Sequence, residues 1–330
     1  NAEQNRVSAE SVTIGNPRED LTPVAAGLPD QPKPSAKVEW KIADPLPQPM
    51  PSAAAFYRNG QVYVVDPHGT VCSAKVNADG SLKPWYVRMG HLPAKIGAGS
   101  VAVLKDLVVC QVGQKLYYAS VDERGIGAWE TAGVLDGLTG KTTLAGWGDR
   151  IYFIGGQGEQ GKLPLVRSAR VSTETGVGDV EDHPALPVGM REAGSVIEGG
   201  RIYLAGGRTG NQVSGLVLSA PIDEEGRPGK WRLEAEMPFP MRRPIVQAWK
   251  GTLWVIGGGN GSSTKWVAAG KIGREGVIQG WQRVETDLPE PVTEGTAARA
   301  GGRFLLLGGR DARNYGKTLT DVYWLEPHLG

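Results

Sequence analysis

Lys141, Glu192, Arg243 and Glu294 follow one another at steps of 51 residues and alternate in sign, which sets them at one position of a repeated unit. Ser52 and Gly97 fill the same position in the two preceding units, and Arg191 and Arg242 stand one residue earlier in theirs. Arg208, Arg310 and Asp311 come directly after double-glycine runs. Converging guanidinium groups hold carboxylates or phosphates through forked hydrogen bonds, and a neighbouring glutamate can act as a general base. An acidic sugar fits such a site. The same residues can instead pair with one another as a partly solvated ring of ions that only spaces the units, since exposed pairs contribute little on their own. The two readings differ in whether the arginines meet a ligand or the glutamates.

Other chemistry finds less support. His68, His91, His183 and His328 are scattered over different units with no second ligand at metal-binding spacing, so no metal and no cofactor are expected. The turns NADG, DERG and DEEG are acidic, but the alternating oxygen ligands and closing glutamate of a calcium loop are missing. The GG runs are followed by no GKS or GKT, and no helix pattern begins there, so they do not read as phosphate cradles. The serines of SGL and GSST lack the context of a nucleophile elbow. Cys72 and Cys110, on strand-like segments of neighbouring units, are compatible with one disulfide in an exported protein or with two buried free thiols.

The elements that must position these residues follow from the period. GG recurs at Gly155-Gly156, Gly206-Gly207, Gly257-Gly258 and Gly308-Gly309, each time after a short apolar strand: IYFI, IYLA, LWVI and FLLL. A period of roughly 40–50 residues built from strands belongs to propeller-type folds rather than helical solenoids. VYVV at 62–65 and LVVC at 107–110 are the equivalent strands of the first two units, which makes six. Each unit continues with a strand such as CSAKV or RSARV, a polar glycine turn, and a strand that opens with Trp85, Trp129, Trp231 or Trp281. Val180 takes that slot in the third unit. Large aromatics at equivalent places are suited to wedging between units. A proline turn then leads into a Gly/Ala-rich strand such as EAGSVIEGG, whose small residues suit a crowded axis.

The last unit lacks its outer strand, while a spare one, KVEW with Trp40, precedes the first. Pairing the two closes the ring and removes two open edges. The expectation is therefore an all-β chain: a six-bladed β-propeller over residues 37–330, preceded by an extended N-terminal arm over residues 1–36. That arm is rich in Pro, Asp and Gly. It reads as a surface-lying leader or as a segment that docks on a partner.

The order of proline turn, inner strand, apolar strand ending in GG and later tryptophan resembles the kelch-repeat β-propeller family over roughly residues 37–327. The last four units match best; the first two carry VVDPHG and VCQVG in place of GG. Within that family the spacing is similar to that of secreted bacterial kelch-like proteins, and more distantly to the sialic acid mutarotases. No mutarotase motif carries over to named positions here.

With 36 basic and 35 acidic residues the net charge is +1, which supplies no field for nucleic acid or an anionic membrane. No apolar stretch approaches the roughly 18 residues of a membrane span. The first residue is Asn1 rather than Met, and export to the periplasm, cell surface or exterior is expected. The function expected is a non-enzymatic protein-binding or assembly module with other protein subunits as partners. The alternative is a carbohydrate-binding or mutarotase-like protein that takes an acidic glycan at the Arg/Glu-lined mouth.

Overall fold

The computed structural model describes residues 38–90, 92, 99–135, 142–158, 161–162, 164–260, 262–263, 265–284, 288–300, 302–311 and 317–327. The expected arm over residues 1–36, together with His91, Gly97, Lys141 and His328, lies outside them. The architecture is all-β and antiparallel, the arrangement of a β-propeller, with one short 3-10 turn at Arg274–Gly276 among the described residues.

The main strands hydrogen-bond in chain order within successive sheets. The first sheet holds Ala54–Arg58, Gln61–Val65, Val71–Lys75 and Tyr86–Arg88; the second holds Gly99–Val103, Leu107–Val112, Lys115–Asp122 and Gly125–Val134. Thr143–Trp147, Arg150–Ile154 and Val166–Ser172 make the third, with Gly176–Val177 and Glu181–Asp182 both pairing on its last strand. The fourth contains Gly194–Glu198, Arg201–Ala205, Val217–Pro221 and Arg232–Leu233; the fifth contains Ile245–Trp249, Thr252–Ile256, Val267–Ile272 and Ile278–Arg283. In the sixth, Thr296–Ala300, Arg303–Arg310 and Thr318–Pro327 are joined by Val38–Ala43 from the other end of the chain, with Trp40 opposite Leu325.

The second strand of each sheet is apolar over most of its length because a neighbouring sheet covers each of its faces. Core clusters lie between consecutive sheets: Tyr152 and Ile154 of the third pack with Ile202 and Leu204 of the fourth. Likewise Val62 and Val64 of the first meet Leu305 and Leu307 of the sixth. Phe153, Leu204, Val255 and Leu305 are buried with almost no exposure. Burying one such side chain stabilises by about 2 kcal/mol, so apolar packing between sheets is the main cohesive term.

Two sequence features act at these seams. Trp129 Nε1 donates to Gly69 O at 2.9 Å, Trp281 Nε1 to Ala235 O at 2.8 Å, and Trp85 Nε1 to Asp44 O at 3.2 Å, each reaching back to the preceding sheet. The small residues of the first strands permit close approach: a side chain at Gly194 would collide with Val246 and stand 2.7 Å from Pro244 O. Cys72 and Cys110 are buried as two separate free thiols, not a bridge. Burial pushes Cys72 up to about 11 and raises Cys110 as well, which leaves both protonated and unreactive.

Removing residues 38–43 is expected to abolish a single cooperative thermal transition. Val38, 1% exposed, would leave the cluster around Phe304 and Trp254, and Thr318–Pro327 would lose one neighbour. A truncated chain that melts in one step at the full-length temperature, followed by near-UV circular dichroism, contradicts this role.

Candidate functional site

The double glycines place the loops that carry the charged residues. Both glycines of each pair are left-handed, with φ of 71° and 87° at Gly206 and Gly207, which lets the chain turn sharply at the strand end. The second glycine's N–H then donates to the loop entering the next sheet: Gly156 to Met190 O at 2.9 Å, Gly207 to Met241 O at 2.7 Å, Gly258 to Val292 O at 2.7 Å. Met190, Met241 and Val292 are buried plugs, as is Met50 in the first sheet's loop. Two residues beyond each plug stands Ser52, Glu192, Arg243 or Glu294.

These four share a left-handed backbone, with φ of 58°, 59°, 51° and 57°. Such a conformation is strained for any residue with a Cβ and costs about 1 kcal/mol. It is held by a relay of backbone hydrogen bonds: Arg243 N donates to Glu192 O at 2.8 Å, Glu294 N to Arg243 O at 3.4 Å, and Ser52 N to Glu294 O at 2.8 Å. The relay crosses from the fourth sheet's loop through the fifth and sixth to the first.

The side chains pair along the same path. Arg243 reaches Glu192 Oε1 with Nη2 at 2.7 Å and Glu294 Oε1 with Nη1. Glu294 Oε2 also accepts from Arg310 Nε at 2.9 Å and from Ser52 Oγ at 3.2 Å. The Glu192 and Glu294 side chains are 6% and 9% exposed, and that of Arg243 is 33% exposed. Burial pulls the Glu192 carboxyl upward, but Arg243, assisted by Arg191 and Arg242, outweighs it and holds the group below the ordinary carboxylate value. A carboxylate held ionised beside guanidiniums is a weak general base, and these ion pairs tie the loops of the fourth, fifth and sixth sheets together.

The remaining arginines gather beside it. Arg191 lies opposite Arg208 in a small sheet of Met190–Arg191, Arg208–Thr209 and Gln212–Val213. Arg242 exchanges both backbone bonds with Gly259 at 3.0 Å. Between these loops an open cleft of about 560 Å³ is lined by Arg208, Asn211, Gln212, Val213, Pro240, Arg242 and Asn260. Arg208 Nη2 donates to Asn211 O at 2.6 Å, which aims the guanidinium along the cleft wall. The lining offers two cations and three carboxamides but no carboxylate, so the cleft suits an anionic group flanked by further polar groups.

Of the residues singled out from sequence, Glu192, Arg243, Glu294 and Arg310 form the ion chain, and Arg208 and Arg242 line the cleft. Arg191 sits between the two. Asp311, 8% exposed, is tied by its N–H to Lys317 O at 3.0 Å on the sixth sheet's loop. Asn211, Gln212 and Asn260 carry no site signal of their own in the sequence, although TGNQV places two amides on the post-glycine loop of Arg208 and GGGN places a third on that of the next unit. Among the described residues no three His, Cys, Asp or Glu side chains stand together as a metal set. No helix among them is long and apolar enough to cross a membrane.

Replacing Arg243 with Ala strips a guanidinium from two buried carboxylates and is expected to lower stability by about 3 kcal/mol, with Lys at that position restoring only part because one ammonium cannot fork to both. The pH dependence has a definite sign. The folded pKa of Glu192 is lowered, so its contribution is complete above the ordinary carboxylate range and is lost as the pH falls through the lowered folded value. The deficit of Arg243→Ala should therefore shrink in acid, as urea titrations at several pH values would register. A deficit that stays constant with pH would show packing, not charge, at work.

No family model matches the chain, and no curated protein sequence matches it. Among solved structures the chain is similar to one titled "Structure of YjhT", with a TM-score of 0.68 and 13% identity over 88% of this chain and 100% of that one. At that identity the likeness shows the fold alone, and the fold it shows is propeller-like.

Proposed function

We propose that the six main sheets are the blades of one closed, kelch-like β-propeller over residues 37–330, with residues 1–36 a separate arm. In this reading the protein is exported and works as a non-enzymatic binding or assembly module. Its partner is another protein that presents an acidic group to the loop face. The observation that carries the reading is the cleft beside the ion chain, where Arg208 and Arg242 line the wall and no lining residue is a carboxylate. Glu192 and Glu294, the groups best placed to serve as bases, are committed to arginines. Sheet order supports the ring, since the strand from Val38 shares a sheet with the strand ending at Pro327.

A second reading rests on the cleft's three carboxamides. Asn211, Gln212 and Asn260 beside two guanidiniums offer donors and acceptors for the hydroxyls of an acidic sugar, and about 560 Å³ holds one. The experiment that separates the two begins with the protein at native abundance under mild conditions, sized by chromatography with light scattering. Co-elution with another chain, weakened about tenfold by Arg208→Ala with Arg242→Ala, is the expected result. A lone monomer near 35.1 kDa that instead retains acidic oligosaccharides would replace the assembly reading with the glycan one.

A further inference from the structure

Ser168 is fully buried on the third sheet, between a cation and an imidazole. Arg150 Nη1 donates to Ser168 Oγ at 2.8 Å, and the same oxygen lies 2.6 Å from His183 Nε2. The fourth sheet repeats this node 51 residues later with Arg201, Ser219 and Glu234. There Arg201 Nη1 donates to Ser219 Oγ at 3.1 Å, and Ser219 Oγ donates to Glu234 Oε1 at 2.5 Å. In both nodes the guanidinium takes one lone pair of the hydroxyl oxygen; Ser219 gives its proton to Glu234, and Ser168 gives its own to His183 where Nε2 is the unprotonated ring nitrogen. A carboxylate accepts it whenever ionised. An imidazole nitrogen accepts it only while the ring is neutral.

The charges around His183 come from three elements. Glu181 and Asp182 belong to its own segment, Arg150 to the second strand of the third sheet, and Arg227 to the fourth sheet's turn. Burial acts most strongly and disfavours the imidazolium; Arg150 and Arg227 add to that, while Glu181 and Asp182 oppose it. The balance leaves His183 below the ordinary histidine value.

We propose that His183 is a pH-sensitive latch on the seam between the third and fourth sheets. Protonation removes the acceptor from Ser168 and sets an imidazolium beside the buried guanidinium of Arg150. The short strand Glu181–Asp182, whose register partners are Ser168 and Arg167, is then released. Release reaches the next sheet because Glu181 bridges the seam: it binds Arg150 Nη1 at 3.0 Å and Arg227 Nε at 3.2 Å. Next to it Tyr152 Oη donates to Gly226 O at 2.8 Å, a bond that the same loosening exposes. Because the folded value is lowered, the latch is complete above the ordinary histidine range and is lost as the pH falls through the lowered value. Between the two values the unfolding constant rises by up to tenfold per pH unit.

The test is an NMR titration of the His183 imidazole in the full chain, paired with denaturant unfolding of His183→Gln at the same pH values. Glutamine keeps a carbonyl acceptor for Ser168 and has no proton to gain. His183 is expected to titrate below the ordinary histidine value, with the Gly226 amide shifting in step, and the variant to lack the acid loss across that window. An imidazole that titrates at or above the ordinary value overturns the latch, and so does a variant that loses stability with the wild-type slope. The imidazole titration uses the unaltered protein and answers even where the variant does not fold.

Discussion

The rest of the structure depends on one hydrogen bond made again at three successive seams: the N–H of the second glycine given to the carbonyl of the plug residue ahead of the next sheet. At Gly156, Gly207 and Gly258 it joins the end of one apolar strand to the loop that opens its neighbour. Only glycine can hold both left-handed positions without steric cost, and at Gly206 a side chain would also collide with Met241 O. The bond thus ties the strand end of one sheet to the loop that opens the next. It also delivers a strained, left-handed residue two places beyond the plug.

That residue is where the chain carries its charge. An isolated buried carboxylate is costly, yet Glu192 and Glu294 flank one guanidinium that pairs with an oxygen of each, and a backbone relay links the same loops. The result is a rigid rim beside a cleft whose wall holds guanidiniums of a different set. Separating the two sets allows the ion chain to order the loops while Arg208 and Arg242 face the cleft.

A comparable division runs down the outer seams. Arg150 and Arg201 begin equivalent strands, and each is followed two residues later by a tyrosine that donates to a glycine carbonyl of the next sheet, Gly226 or Gly276. The third sheet completes its node with His183 and Glu181, the fourth with Glu234 and Arg232, so the repeat preserves geometry while exchanging charge. Trp231 occupies the tryptophan slot of the fourth unit and is buried, its counterparts Trp85, Trp129 and Trp281 are half-buried, and Val180 in the third is 42% exposed. Trp231 packs in the core between the third and fourth sheets, the seam that also carries the polar node of His183.

The strands, their order within each unit and the shared position of Ser52, Glu192, Arg243 and Glu294 were legible in the sequence, because strand periodicity and glycine turns are local properties repeated at a fixed step. The separate seating of Trp85, Trp129 and Trp281 against preceding sheets followed from the same repetition. Partner choice was not legible. Whether Arg243 would meet a ligand or two glutamates depends on distances between loops 51 residues apart, and sheet packing alone brings those to hydrogen-bonding range. The carboxamides of the cleft escaped notice for the same reason, since Asn211 and Asn260 have meaning only once two loops face each other. By itself the sequence determined the repeating unit, through strand alternation and the conformations open to glycine. Tertiary structure decided which charges neutralise one another and which are left to face the cleft, because electrostatic pairing acts across space and no local pattern encodes it.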